Sequence, residues 1–239
     1  MALDPSHLEM LCSGSGISDE VVVERGYRSI SASQARECGF APSQCLGGLL
    51  IPVWTPDGTS PLSILRPDQP REGKDGKVLK YEMPRGQSVR LDCPPRCRAA
   101  LADPNTLLWI TEGVKKGDAL ASRGLCAIAL LGVWNFKGAN DKGGVTLMAD
   151  FDYIALNGRQ VNIVFDSDVM TKPQVRGALD RLTEHLQRKG AHVTAVYLPH
   201  SNGAKTGVDD YLLTRTVADL EGLAERPRPA AKPAAPIVE

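Results

Sequence analysis

From residue 105 onward, apolar runs alternate with amphipathic stretches, and this rhythm constrains the fold more than any other feature. LLWIT (107–111) reads as a short apolar strand. VKKGDALASRG (114–124) reads as a helix closed by Gly124. LCAIALLG (125–132) is a continuous apolar run, as a strand buried on both faces requires. VNIVFDSD (161–168) repeats that pattern. PQVRGALDRLTEHLQRKG (173–190) has proline near its start and glycine at its end, and Val175, Leu179, Leu182 and Leu186 share one helical face. AHVTAVYLP (191–199) is the next strand. Strand, helix, strand, helix, strand in this order predicts an α/β domain over 105–224, a parallel sheet flanked by helices.

The preceding residues follow other rules. Residues 1–46 read as a helical N-terminal segment, with Ser6, Ser18 and Ser31 placed as caps and Gly26 and Gly39 as stops. No recognition helix stands out there, so a packing role is expected. Residues 47–104 read as a smaller α+β subdomain. It opens with GGLLIPVWTPDGTSPLSILRPD, two apolar runs around the turn residues Thr55-Pro56-Asp57-Gly58-Thr59. Between 66 and 98, nine Lys and Arg outnumber five Asp and Glu. KDGK (74–77) reads as a loop tip, and KYEMP (80–84) has strand character before Pro84. Residues 225–239, rich in Pro and Ala without periodicity, read as a disordered tail or a linker.

Charge narrows the choice of partner. The 239 residues carry 28 Lys and Arg against 28 Asp and Glu, so contact with nucleic acid must come from a local patch. No run approaches the roughly 20 apolar residues of a membrane span, and the start lacks the basic and apolar regions of a signal peptide. A cytoplasmic protein without a membrane partner is expected. Its six cysteines then read as reduced thiols. Cys93 and Cys97 form a C-x3-C pair, but no second pair completes a zinc site, so ordinary thiols are the favoured reading.

The chemistry gathers where the parallel strands end. Glu112 follows LLWIT and precedes Gly113. Asp166 and Asp168 follow VNIVF and, in extended geometry, point the same way. Ligands of open parallel sheets bind beyond the carboxyl ends of strands. Three carboxylates there would make an all-oxygen site of the kind Mg²⁺ takes, with about six oxygens at ~2.1 Å. Lone acids at strand ends are often only solvated caps. The combination of Glu-Gly at one end with D-x-D at another favours metal. Asp118, Asp209 and Asp210 are candidates to support the cluster, the last two being equally able to cap a helix. Lys115 and Lys116 could touch phosphate or simply be an exposed helix start. Trp134 reads more readily as core than as a base-stacking platform.

These residues resemble the TOPRIM pattern of bacterial primases, topoisomerases and some nucleases, which carry Glu-Gly after one strand and D-x-D after a later one. ITEGVKKGDAL and VFDSDV match it. With GVDDYL, they resemble most closely a TOPRIM-like family of uncharacterised proteins from phages, plasmids and other mobile elements. Upstream, LLIPVWTPDG and LKYEMP stand in the order seen in DnaG-type primases, so residues 47–213 resemble a compact primase catalytic core. The resemblance implies a Rossmann-like TOPRIM fold, and Mg²⁺ or Mn²⁺ at Glu112, Asp166 and Asp168, which would be both metal ligands and catalytic residues. It also implies nucleotidyl transfer from nucleoside triphosphates on single-stranded DNA, primer synthesis in replication, and a replicative helicase as a further partner. Arg66, Lys80 and Arg85 become candidates for phosphate contacts. A TOPRIM nuclease using the same acids, and a non-catalytic DNA- or helicase-binding module, are the alternatives. The chain departs from the primase pattern at Lys116, where an Asp is usual, and at Val169-Met170, where Ala-Gly is usual.

Overall fold

A computed structural model of the chain describes residues 3–73, 76–139, 144–200 and 204–225. Most of the segment expected to be a tail, and the tip of KDGK, lie outside these residues. The chain opens with helices α1 (Pro5–Ser15) and α2 (Asp19–Arg25), strand β1 (Arg28–Ile30) and helix α3 (Ala32–Glu37). Ser18 and Ser31 cap α2 and α3 through their side chains. The first helix starts earlier than expected: Asp4 rather than Ser6 holds the cap position, because Pro5 supplies the helical φ at the first turn. Strand β1 went unread within this helical segment, for three residues are too few to show a period.

Strands β2 (Gly48–Val53) and β3 (Leu62–Pro67) form the expected hairpin, and β1 joins it to make an antiparallel sheet ordered β1-β2-β3. Its alternation sorts the side chains. Leu49, Ile51 and Val53 face Leu11, Ile17, Val21 and Val22 of the helical segment, whereas Leu50 packs with Leu65, Ala35 and Phe40. KYEMP does not become a strand. Only Glu82 pairs, through one bridge to Leu65. The Glu82 carboxylate turns inward instead, against Arg71 at 2.6 Å and the Gln44 amide at 2.9 Å.

The second sheet holds the larger core. Its strands are β4 (Leu108–Glu112) and β5 (Cys126–Leu130), joined by helix α4 (Val114–Ala121). A small hairpin of β6 (Lys137–Ala139) and β7 (Val145–Leu147) follows. Then come β8 (Gln160–Phe165), helix α5 (Pro173–Arg188), β9 (His192–Tyr197), helices α6 (Val208–Leu212) and α7 (Val217–Glu221), and the edge strand β10 (Ala224–Glu225). The order is β10-β9-β8-β4-β5, parallel except for β10. The chain steps from β4 to β5 on one side and then crosses to β8 on the other. That reversal opens a crevice at the carboxyl ends of β4 and β8. The expected alternation therefore stands, with β10 as an antiparallel addition. Among the described residues no helix is long and apolar enough to cross a membrane.

The two sheets meet through a buried ion cluster. The Arg25 guanidinium, with no solvent exposure, donates to both Asp118 oxygens at 2.9 and 2.5 Å. It also donates to both Asp92 oxygens, one of them at 2.9 Å. The Tyr27 hydroxyl donates to Asp118 at 2.6 Å, and the Trp54 backbone N–H donates to Asp92. Asp92 lies beside β5, exchanging two backbone hydrogen bonds with Ala129. Four separate pieces of chain, around residues 25–27, Trp54, Asp92 and Asp118, thus converge on this cluster. Burial, with Asp118 nearby, pushes the Asp92 carboxyl up to about 6 despite Arg25. Removing one partner of such a cluster strands a buried charge. Arg25→Ala should therefore lower the unfolding free energy in urea by about 3–5 kcal/mol, and Tyr27→Phe by about 1 kcal/mol.

Candidate active site

Glu112 ends β4, and Gly113 follows at φ +93°, a conformation that suits glycine and turns the chain into α4. Asp166 follows β8 and precedes a short 3₁₀ turn, Ser167–Met170, that carries Asp168. The D-x-D is thus not extended, as its spacing suggested, yet the two carboxylates still reach a common cation. The Lys205 ammonium stands 2.6 Å from Asp166 Oδ2 and 3.4 Å from Asp168 Oδ2. Lys116 holds Asp166 Oδ1 at 2.5 Å, and Lys172 holds Asp168 Oδ2 at 2.9 Å. Asp166 and Asp168 are otherwise buried.

A cleft of about 640 Å³ opens over these strand ends. It is lined by Glu112, Lys115, Lys116, Asp166, Lys205, Asp209 and Asp210, and also by Arg66, Lys80 and Tyr81 from β3 and the segment beyond. The Arg66 guanidinium lies 5.7 Å from the centre of the Tyr81 ring. Lys115 donates to Ser15 Oγ at 2.8 Å, which ties the end of α1 to the cleft. Asp210 does two things: it lines the cleft, and its carboxylate accepts the Gly207 N–H at 2.9 Å at the start of α6. A Cβ at Gly207 would lie 2.5 Å from Asp209 Oδ1 and 2.6 Å from Lys116 Cε, so any side chain there would displace these groups.

Three sequence candidates sit elsewhere. Asp118 belongs to the Arg25 cluster rather than to the acid site. On a helix, positions two apart point about 200° away from each other, so α4 sends Lys116 to the cleft and Asp118 to the interior. Arg85 does not line the cleft, and its guanidinium meets Ser43 Oγ at 3.3 Å. Trp134 is not core. It is 36% exposed, with the Lys137 ammonium 3.7 Å from its ring centre. In the other direction, sequence reading missed Lys205, Thr206 and Ser167. The available signal was position alone: the loop after β9 also leaves the carboxyl edge of the sheet.

The charges are uneven. Burial pushes the Glu112 carboxyl above the usual range, with Asp166 and Asp168 adding to it and Lys116 and Lys205 opposing. Burial raises Asp209 in the same way, against Lys116 and Lys115. Asp168 goes the other way, because Lys172 and Lys205 outweigh its burial. The oxygens of Glu112, Asp166 and Asp168 are hard donors of the kind Mg²⁺ takes, and Asp209 Oδ1 is buried among the described residues with no hydrogen-bond partner. The donor set thus fits a hard divalent cation in kind. Its arrangement is closed by lysines, and among the described residues no three His, Cys, Asp or Glu side chains group tightly enough to hold a metal ion. That holds for the cysteines as well: Cys93 and Cys97 are free and buried.

Comparison with known proteins follows the same lines. A family described as a domain of unknown function, DUF3854, matches residues 98–218, just over half of the chain. The chain belongs to this family. An uncharacterized protein of Picosynechococcus sp. is 33% identical over 140 residues, which cover 55% of the chain and 14% of that relative's length. Among solved structures, the Aquifex aeolicus primase (zinc-binding and RNA polymerase domains) superposes with a TM-score of 0.63 at 15% identity, over 92% of this chain and 55% of that one. The RNA polymerase domain of Mycobacterium tuberculosis primase DnaG gives 0.59 at 13% identity, over 91% and 75%. The primase fragment of the bacteriophage T7 primase-helicase protein gives 0.51 at 14% identity, over 88% and 72%. The DUF3854 chain therefore has the architecture of a TOPRIM-like primase catalytic domain.

The raised Asp209 carboxyl makes a pH-dependent prediction. A group whose folded pKa lies above its unfolded value stabilises the fold when protonated, and that stability is lost as pH rises through the folded pKa. Ionised Asp209 therefore costs stability near neutrality. Asp209→Asn should melt higher than wild type at about pH 7.5, and the gain should disappear by about pH 4, where the unfolded carboxyl also protonates. A difference that is constant across the pH series would contradict this assignment.

Proposed function

We propose that this chain is a primase-like nucleic-acid enzyme of a mobile element, using Mg²⁺ or Mn²⁺ for nucleotidyl transfer on single-stranded DNA during primer synthesis. The observation that carries the reading is one juxtaposition. Acids from two adjoining strand ends, Glu112 and Asp166, line a single cleft together with Arg66 and Lys80. The primase architecture supports it, as does the similarity to a DnaG primase catalytic domain bound to single-stranded DNA. In this reading Asp166 and Asp168 hold the divalent cation and Glu112 joins them or takes the proton of the attacking hydroxyl. Burial suits Glu112 to that proton. When bound, the cation would supply Lewis-acid stabilisation of the negative charge that develops on phosphate. Arg66 and Lys80 hold template phosphate, with Tyr81 beside Arg66 as an apolar surface. Lys115 and Lys116 meet the phosphates of the incoming nucleotide from the first turn of α4. A replicative helicase is a further partner in this scheme.

One observation favours a different reading. Asp166 and Asp168 already have ammonium partners, as they would in a module that binds DNA or a helicase without catalysis. The same acids could also serve a TOPRIM nuclease.

The deciding experiment incubates the chain with single-stranded DNA, Mg²⁺ or Mn²⁺ and labelled ribonucleotides. New labelled oligonucleotides are expected from wild type, with Asp166→Ala and Glu112→Ala lower by about 10²-fold or more. Template loss without nucleotides, absent in both variants, would replace the primase with a nuclease. DNA binding without any product, unchanged in both variants, would leave the binding module.

A further inference from the structure

The loop after β9 delivers a cation that the reading above leaves unused. Ser167, between the two aspartates, donates its backbone N–H to the Thr206 carbonyl at 2.9 Å, and its Oγ accepts the Thr206 N–H at 2.9 Å. These two bonds pin the neighbouring Lys205 beside the aspartates. Its bridge to Asp166 Oδ2 and Asp168 Oδ2 is therefore part of the loop's construction rather than a chance surface pair. Asp166 and Asp168 side chains are only 4% and 9% exposed, so water compensates neither well and a nearby cation takes its place.

An ammonium and a divalent cation cannot occupy the same carboxylate oxygens, since both are drawn by the same charge and repel each other at contact distance. The lysines differ in how readily they could leave. Lys205 is 49% exposed and carries its charge at the tip of a flexible stem, so moving into solvent desolvates nothing. Lys116 is 19% exposed and projects from α4. Lys172, 52% exposed, touches Asp168 alone, so Lys205 is the exposed lysine that bridges both aspartates.

We propose that Lys205 is a built-in competitor for the divalent cation: it bridges Asp166 and Asp168 in the metal-free protein and yields both when the cation binds. This rests on the reading of Asp166 and Asp168 as metal ligands. The arrangement keeps two buried carboxylates compensated in the absence of metal. In exchange it weakens the site's affinity and makes occupancy depend on the divalent concentration.

The test is Mn²⁺ binding to the full chain, measured by calorimetry and by the resonance signal of free Mn²⁺ at fixed ionic strength. Lys205→Ala and Lys205→Gln should bind Mn²⁺ about tenfold more tightly than wild type. Lys115→Ala, which removes the same charge from the same cleft, should gain less than about threefold because Lys115 bonds Ser15 and pairs with neither aspartate. Without Mn²⁺ the Lys205 variants should melt below wild type, and with saturating Mn²⁺ that deficit should vanish. If wild type binds Mn²⁺, Asp166→Ala abolishes the binding, and the Lys205 variants gain no more than Lys115→Ala, the competition is overturned while the metal site stands. If neither wild type nor the Lys205 variants bind Mn²⁺, the metal reading fails and takes this proposal with it.

Discussion

The Arg25 guanidinium is the point on which the two sheets depend. It is reached by carboxylates from Asp92 and Asp118, which belong to the strip beside β5 and to α4. Helix α2 carries it, and Trp54, next to β2, returns a hydrogen bond from its indole N–H to the Arg25 carbonyl at 3.0 Å. A cluster with one guanidinium and two carboxylates is not a cheap way to gain stability, because all three groups lose their water. What it supplies is direction. Apolar packing between Val114, Ala119 and the residues of the first sheet would tolerate sliding, whereas five fixed donor–acceptor geometries do not. Helix α4 is thereby set at one angle to the first sheet, and Lys115 and Lys116 at its start inherit that position.

The cleft owes its existence to this placement. Its lining comes from the ends of β4 and β8 and from β3 and the following segment, so neither sheet could form it alone. The wall of strand ends is locally stressed. Half-buried Glu112 and buried Asp209 are acids held above their usual range, and Asp209 Oδ1 has no hydrogen-bond partner among the described residues. The fold tolerates charge that is not fully satisfied there because the surrounding apolar core is large. Trp109, Phe165 and Phe136 in that core are fully buried or nearly so.

Much of the architecture was legible from residue pattern. The apolar runs at 107–111, 125–132 and 161–168 became β4, β5 and β8 within a residue or two at the start, because a strand buried on both faces has no polar position to blur its edges. Their ends were read less well: the strand assigned through Asp168 stops at Phe165, where the Ser167–Thr206 pairing turns the chain. KYEMP shows the opposite failure. Its residues suit a strand, but the chain pairs there through a single bridge and spends Glu82 on an inward ion pair. Trp134 was misjudged because an aromatic beside a buried strand is usually core, whereas here Lys137 covers its exposed face.

By itself the sequence determined that a parallel α/β sheet would form, that Glu112, Asp166 and Asp168 would stand at the carboxyl ends of its strands, and that the excess of basic residues would precede them. Periodicity and strand-end position are local properties, and local properties are written in the order of residues. Tertiary structure decided which cations face those acids. It gave Asp118 to Arg25, sent Arg85 away from the cleft, and brought Lys205 from the loop after β9 onto Asp166 and Asp168. An ion pair is set by where two distant segments meet and by how much water is excluded there, and neither quantity exists until the sheets have packed.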